Sequence, residues 1–511
     1  MSGAAGARLV AAGIFLSRIT GLVRQKVFAF FLGDGLAADA LSAAFRIPNL
    51  LQNLLGEGVL SASFIPVYAR LRAEGRTEEA GRVAGAVAAW LALASLVVVA
   101  VGVTITPWLV DLIAPGFADE GRALTIRLVR LIFPGVGILV LSAWCLGVLN
   151  SHRHFFLSYV SPVLWNGAMI VAVLVLGPGA ATEEVVVTIA WASVAGSALQ
   201  CLIQVPSVRR LDPALRFLPT LRLASVRDVL RRFGVVVVGR GVVQISGFVD
   251  TAIASLVSVG SVATLQYAQV ISMLPVSLFG MSVSAAELPA MASEVGDATR
   301  VAAALRERLD RGLQRIAYYV IPSAVAFVLL GGVLAAGLYE GGAFTRQSAI
   351  WVWGALAGSA VGLLASTMGR LYASGLYALG DTTTPLRAAV GRVLLAASAG
   401  WWAARAVPIW IGIDARWGVG MLTAVSGLAA WLEFLWLRRA MTLRIGRTGV
   451  PLPRILMLWG VALLAGIAAA AVSRVIATAP AWSVAAAAVA IFAAIYLPTT
   501  RYLLPSDAHA P

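Results

Sequence analysis

The sequence predicts an all-α polytopic membrane protein with about fourteen transmembrane helices, arranged as two pseudo-symmetric six-helix lobes followed by two C-terminal helices. Three observations carry that prediction. First, 60% of the 511 residues are hydrophobic, only 12% are charged, and the mean hydropathy is +0.89. A soluble domain carries about 25% charge, so a soluble enzyme is excluded. A disordered chain would need low hydrophobicity and high charge, and is excluded as well. Second, the chain divides into apolar segments of the roughly 20 residues that a membrane helix needs. Third, arginine is concentrated in every other loop between those segments.

In order, the candidate spans are 8–33, 36–69, 84–110, 123–149, 155–176, 185–205, 233–256, 263–291, 316–338, 347–376, 388–407, 417–437, 455–476 and 482–504. Polar residues interrupt the first, second and eighth. Several contain Gly or Pro, which membrane helices tolerate where neighbours re-satisfy the backbone. At the N-terminus, the short apolar run Leu9–Leu16 leads directly into Arg18 and Arg24 with no small-residue cleavage site, so it reads as a retained helix rather than a signal peptide. The loops 70–82, 150–154, 206–232, 294–315, 378–387 and 438–454 hold 23 arginines, whereas the intervening ones hold 5. By the positive-inside rule this alternation supports an even span count and places both termini in the cytoplasm.

The long basic segment 206–232 reads as a connector between two halves. A faint repeat supports this: Asp39 lies nine residues before Pro48, Gln266 lies nine before Pro275, and each pair precedes a second proline, Pro66 or Pro289. The expected organisation is therefore an N-terminal lobe at 1–206, a C-terminal lobe at 207–440, and spans thirteen and fourteen within 441–511.

Familiar catalytic chemistry is missing. Cys145 and Cys201 lie in apolar runs without metal-ligand spacing, and His152, His154 and His509 form no ligand set. There is no Walker motif, Rossmann glycine pattern or nucleophile elbow. No metal or bound cofactor is expected. The net charge of +15 does not point to nucleic acid, because the basic residues are dispersed through apolar sequence.

Ten arginines lie outside the connecting loops; Arg8 and Arg501 flank the terminal spans, and the other eight are Arg18, Arg24, Arg46, Arg127, Arg130, Arg240, Arg370 and Arg392. An arginine at mid-membrane costs at least ~2.5–3.5 kcal/mol, so such residues face a bundle interior or water and mark pathways. Arg127, Arg130 and Arg392 lie near span ends, where snorkelling explains them. Span two is the most informative segment. At 100° per residue, Asp39, Ser42, Arg46, Asn49, Asn53 and Glu57 stay within about 80° of one direction, a polar stripe about 27 Å long, with Gln52 off it. In span one, Ser17, Thr20 and Arg24 share a face, and Arg18 points about 120° away. Span seven offers Arg240, Gln244 and Asp250, and span eight offers Gln266, Gln269 and Glu287. Asp250 reads either as an ion or proton site or as an arginine's partner. Arginine's planar fork suits phosphate and carboxylate and does not neutralise. A cavity built from Arg18, Arg24, Asp39, Arg46, Asn49, Asn53, Glu57 and Arg370 therefore predicts an anionic substrate, such as a lipid-linked phosphate or pyrophosphate whose tail stays in the bilayer.

The run Ser17-Arg18-Ile19-Thr20-Gly21-Leu22-Val23-Arg24 resembles the opening signature of the MurJ/MviN family. So do Asp39-Ala40, Arg46-Ile47-Pro48-Asn49-Leu50-Leu51, Glu57-Gly58 and Phe64-Ile65-Pro66. Further matches are Ile321-Pro322-Ser323-Ala324, Gly342-Ala343-Phe344-Thr345 and Tyr377 with Asp381-Thr382, Thr384 and Pro385. The resemblance implies a flippase of the bacterial cytoplasmic membrane, within the multidrug/oligosaccharidyl-lipid/polysaccharide exporter superfamily. It would move lipid II, the undecaprenyl-pyrophosphate-linked peptidoglycan precursor, to the outer leaflet by alternating access. It also implies drive from the membrane potential or from Na+ or H+, a lipid-tail groove at spans thirteen and fourteen, and cavity roles for Arg18, Arg24 and Asp39. Two positions depart from the family pattern. Gln52-Asn53 stands in place of a basic pair, and Val270 stands where span eight usually has an arginine. These departures leave open an exporter of the same superfamily for another lipid-linked oligosaccharide or amphiphile. An intramembrane enzyme or scaffold is the remaining reading.

Overall fold

The computed structural model describes residues 3–281, 283, 291 and 298–501, with side chains for all of these except 3–12, 14, 57, 235, 238–246, 280, 281 and 298. The side chains of Glu57, Arg240 and Gln244, and residues Glu287 and Pro289 altogether, lie outside the described residues. Among the described residues the structure is helical without strands, and eleven helical segments are long and apolar enough to cross a membrane. Three more helices of 28 to 32 residues coincide with the first, seventh and eleventh predicted spans. The chain forms two compact units, Met1–Ala252 and Ile253–Pro511.

The first unit contains α1 (Gly3–Leu32), α2 (Leu36–Leu55), α3 (Glu57–Ser63), α4 (Ile65–Ala73), α5 (Thr77–Thr104), α6 (Thr106–Ile113), α7 (Asp119–Ser151), α8 (Phe155–Leu176), α9 (Thr182–Leu211) and most of α10 (Ala224–Ser255). Gly33, at φ +60°, ends α1 in the left-handed conformation that glycine adopts without penalty. The predicted second span is not one rod. It breaks at Gly56, after which Pro66 opens α4 within its first turn, where a missing N–H costs nothing. Helix α7 is largely buried; it packs against α2, α5 and α9, while α8 bridges α1 and α9. A knot of polar side chains joins α7, α8 and α9. The amides of Gln200 and Gln204 donate to Ser142 Oγ at 3.0 and 2.7 Å, and Gln204 also reaches Ser161 Oγ at 3.0 Å. In a bilayer such bonds contribute about 0.6 kcal/mol each on average, and they fix which helix faces meet.

The basic connector is strapped to this unit. Asp212 is buried and accepts a hydrogen bond from Tyr68 Oη at 2.8 Å. Tyr68 Oη in turn lies 2.9 Å from His152 Nε2, and since its own proton goes to Asp212, the imidazole is the donor. Downstream, Trp90 Nε1 donates to Thr220 O, and α10 adds Val226 and Val229 to the same core as Tyr68. The segment fits because α5 carries Gly81 and Gly85: a Cβ on Gly85 would stand 2.3 Å from Arg216 O.

The second unit contains the end of α10, α11 (Ser261–Pro275) with a π-helical turn at Val276–Met281, α12 (Ala298–Leu329), α13 (Gly331–Tyr339), α14 (Arg346–Ala378), α15 (Thr383–Trp410), α16 (Gly418–Ile445), α17 (Leu452–Val475) and α18 (Ala481–Thr500). Its spine is α14 against α16. Gly354, Gly358 and Gly362, each four residues apart, meet Gly420 and Gly427, and a Cβ on Gly362 would lie 2.2 Å from Gly427 Cα. This is the small-residue contact through which membrane helices gain van der Waals packing where no hydrophobic drive exists. Helices α17 and α18, the two predicted C-terminal spans, pair with each other and lie on α12 and α13; Tyr496 Oη donates to Tyr318 O at 2.7 Å.

Two outcomes test the strap. Gly85→Val places a branched side chain against the Arg216 backbone and should destabilise the protein by about 1–3 kcal/mol. Amide exchange should rise first at 212–220, and unchanged exchange there would refute the strap. The second test is pH. Burial, reinforced by Arg72, pushes the His152 imidazole down to about 4, against the opposing pull of Asp212. The unfolded chain binds its proton near pH 6.5 and the folded chain near 4, so the unfolded state holds more protons between those values. Stability should therefore fall as pH drops from about 6.5 to about 4. His152→Gln should flatten that part of the melting-temperature profile.

Candidate functional site

The sequence places Arg24 on a face with Thr20, and the structure shows what holds it there. Its Nη1 donates to Asn166 Oδ1 at 3.0 Å. The guanidinium carbon lies 4.9 Å from the Trp165 ring centroid and 5.6 Å from that of Phe28. Asn166 is itself fixed, its Nδ2 donating to Thr20 Oγ1 at 3.4 Å, and the Thr20 hydroxyl caps carbonyls of its own helix at 3.0 Å. Helix α8 can present Trp165 and Asn166 here because Gly196 of α9 lets the two backbones close: a Cβ at 196 would lie 3.0 Å from Trp165 Cα and O. The indole Nε1 donates to Ser193 O at 3.1 Å, which locks the ring plane.

All of these partners are neutral. Among the described residues no carboxylate pairs with Arg24, and its Nε is buried without a hydrogen-bond partner. A hydrogen bond to a charged group contributes about 1.5–3 kcal/mol and a desolvated cation–π contact about 2 kcal/mol. The partners thus stabilise and aim the cation while leaving its charge intact.

The other predicted site residues divide. Arg46 crosses to α10, its Nε donating to Thr251 Oγ1 at 2.9 Å, and Asp250 lies within electrostatic reach. Asp39 is buried at 2% exposure in the first turn of α2, where a negative charge complements the helix N-terminus. Asn49 and Asn53 are exposed, and so is Arg18. Asn49 borders a cleft that has room for about one water molecule, lined also by Phe45, Gln52, Trp165, Ser193 and Ser197. Gln52, off the stripe by helical geometry, faces this cleft together with Asn49, one helical turn away. In the second unit, Arg370 is exposed near an intramembrane ion pair in which Arg392 Nη1 lies 3.0 Å from Glu433 Oε2. Trp165, Asn166 and Glu433 were not among the sequence candidates. A lone amide in the apolar fifth span was the available signal for Asn166.

A family model described as "Lipid II flippase MurJ" matches residues 28–497. The chain belongs to the MurJ family. A Burkholderia cenocepacia relative named "Lipid II flippase MurJ" is 32% identical over 387 residues, covering 74% of each chain. Among solved structures, "Lipid II flippase MurJ, inward closed conformation" superposes with a TM-score of 0.76 at 22% identity, covering 97% of this chain and all of that one. A multidrug resistance MATE family transporter of the MOP superfamily, inward-facing, reaches a TM-score of 0.65 at 18% identity, over 83% of this chain and 95% of that one. These two likenesses confirm the all-helical membrane fold predicted from composition and periodicity. MurJ membership also agrees with the motifs read in spans one and two.

Leaving Arg24 without a counter-charge has a testable consequence. Asn166→Asp would put a carboxylate about 3 Å from the guanidinium and neutralise it internally, at little cost in volume. The variant should fold and insert with near-normal thermal stability and yet lose at least ~90% of anionic-lipid translocation in reconstituted vesicles. Full activity in that variant would show that the charge of Arg24 is not needed.

Proposed function

We propose that this chain translocates lipid II from the cytoplasmic to the outer leaflet of the bacterial cytoplasmic membrane by alternating access. The observation that carries this reading is the aimed, unneutralised guanidinium of Arg24 inside a membrane-embedded unit. A half-buried cation held by an amide and two aromatic rings is prepared to receive a diffuse, multiply charged anion, and a pyrophosphate meets that description. Membership of the MurJ family supports lipid II as the particular anionic lipid. Translocation moves a head group without making or breaking a covalent bond, so no catalytic residue is assigned.

In this reading the anionic head group is received by Arg24 together with Arg18 and Arg46. Asp39, Asn49, Asn53 and Glu57 shape the polar path, and Arg370 acts from the C-terminal lobe. Helices α17 and α18, within 441–511, carry the polyprenyl tail; the exposed Leu456, Leu463, Leu464 and Ile467 on α17 suit that task. Both termini are cytoplasmic in this reading, which the alternation of arginine-rich loops supports. Energy comes from the membrane potential or from a Na+ or H+ gradient, with Asp250 beside Arg46 as the titratable or cation-sensitive group. The substitution of Gln52 for a cation keeps a second reading, an exporter for a different lipid-linked oligosaccharide.

The test is rescue. Bacterial cells depleted of their own lipid II flippase should resume growth and lipid II translocation when this chain is expressed. Arg24→Ala should abolish rescue, and Arg24→Lys should restore only a small part, because an ammonium lacks the planar fork. Correct insertion without rescue by the wild-type chain would favour the second reading.

A further inference from the structure

The cleft between α2, α7, α8 and α9 touches the indole that packs on Arg24, and α7 gives it an apolar wall of Ile132, Gly135, Val136 and Leu139. Trp165 presents its ring to the guanidinium at 4.9 Å and also forms a wall of the cleft. Opposite, Phe45 meets it edge-on at 6.2 Å between centroids. The remaining polar lining consists of two amides, Asn49 and Gln52, and two hydroxyls, Ser193 and Ser197. The hydroxyls donate along their own helix, to Ala190 O and Ser193 O, each at 2.7 Å, so toward the cleft they can only accept. The indole N–H is already used on Ser193 O. Neither amide is engaged with a protein partner among the described residues, so both keep donors and acceptors free.

Among the described residues no charged side chain lines the cleft. An anion there would lose hydration without gaining a cation, and a cation would lose it without gaining a carboxylate. A neutral group that both donates and accepts hydrogen bonds, presented beside an aromatic face, fits both the lining and the one-water size. A sugar hydroxyl or the polar end of an N-acetyl group has these properties. The spacing also limits where on a substrate that group sits. With the anion at Arg24, a group that touches the same indole belongs to the unit bonded directly to the anion.

We propose that this cleft is a neutral subsite that receives an uncharged, hydrogen-bonding substituent of the sugar attached to the anion held by Arg24. The inference rests on the reading of Arg24 as the anion's partner. It assigns Gln52 a role of its own: where a cation would add affinity for any anionic lipid, the amide adds affinity for the glycosylated one.

The test compares two probes on the purified full-length chain in nanodiscs, lipid II and undecaprenyl pyrophosphate, which lacks the sugar. Equilibrium binding can be read by native mass spectrometry. The wild-type chain should prefer lipid II, and Gln52→Met and Asn49→Leu should each reduce that preference about 3- to 10-fold, the fold-change that corresponds to the net contribution of one hydrogen bond. Arg24→Ala should weaken both probes together. If Gln52→Met and Asn49→Leu leave the preference unchanged, or weaken both probes equally, the subsite is overturned while the role of Arg24 stands. If the wild-type chain binds neither probe, or Arg24→Ala binds both as tightly as wild type, the underlying reading fails instead.

Discussion

The arrangement of the N-terminal unit depends on keeping one cation charged inside a bilayer. A guanidinium in hydrocarbon must be paid for, and the common solution is a carboxylate partner. Arg24 has a different solution, an amide at 3.0 Å and two aromatic faces. Each offsets part of the desolvation cost, and none cancels the charge. Such a site favours the arrival of an anion, because the charge–charge attraction has not been spent within the protein.

That solution makes demands on the surrounding helices. Trp165 and Asn166 are useful only if α8 sits at a fixed depth and rotation against α1 and α9. The close contact at Gly196 sets the depth, and the Ser193 carbonyl sets the indole plane. The knot of Ser142, Ser161, Gln200 and Gln204 holds α7, α8 and α9 in register about one to two turns along. Tyr68, Asp212 and His152 then tie the connector to the same unit. Polar contacts dominate this account because, between lipid-facing helices, apolar burial supplies little drive and hydrogen bonds with glycine contacts choose the partners.

Much of this was legible in the sequence, and the illegible part has physical causes. Composition and arginine alternation report on the membrane itself, so the helical fold could be read without knowing any contact. Among the described residues each predicted span coincides with a helix or a short run of helices, but nothing in the sequence set Gly56, where the second span breaks, apart from the glycines that membrane helices tolerate. Helical geometry placed Arg24 and Thr20 together correctly, since both lie on one helix. It could not supply Asn166, which is 142 residues away, because a partner on another helix depends on packing rather than periodicity. The polar stripe of span two shows the same limit. A single helical wheel groups Asp39, Arg46 and Asn49, whereas the packed helix buries Asp39, turns Arg46 to Thr251 and gives Asn49 to a cleft shared with Gln52.

The two units show why residue type alone could not assign function. Arg392 lies within an apolar span as Arg24 does, though nearer its end. Arg392 is met by Glu433 at 3.0 Å, and the pair, neutral as a unit, serves to hold α15 against α16. Among the described residues Arg24 is met by neutral groups alone. The difference lies in the charge of the partner, which is set by the helix that packs alongside. An intramembrane arginine is therefore a structural element when the neighbouring helix brings a carboxylate and a binding element when it brings an amide and an indole. The functional information in this chain lies as much in Trp165 and Asn166 as in Arg24.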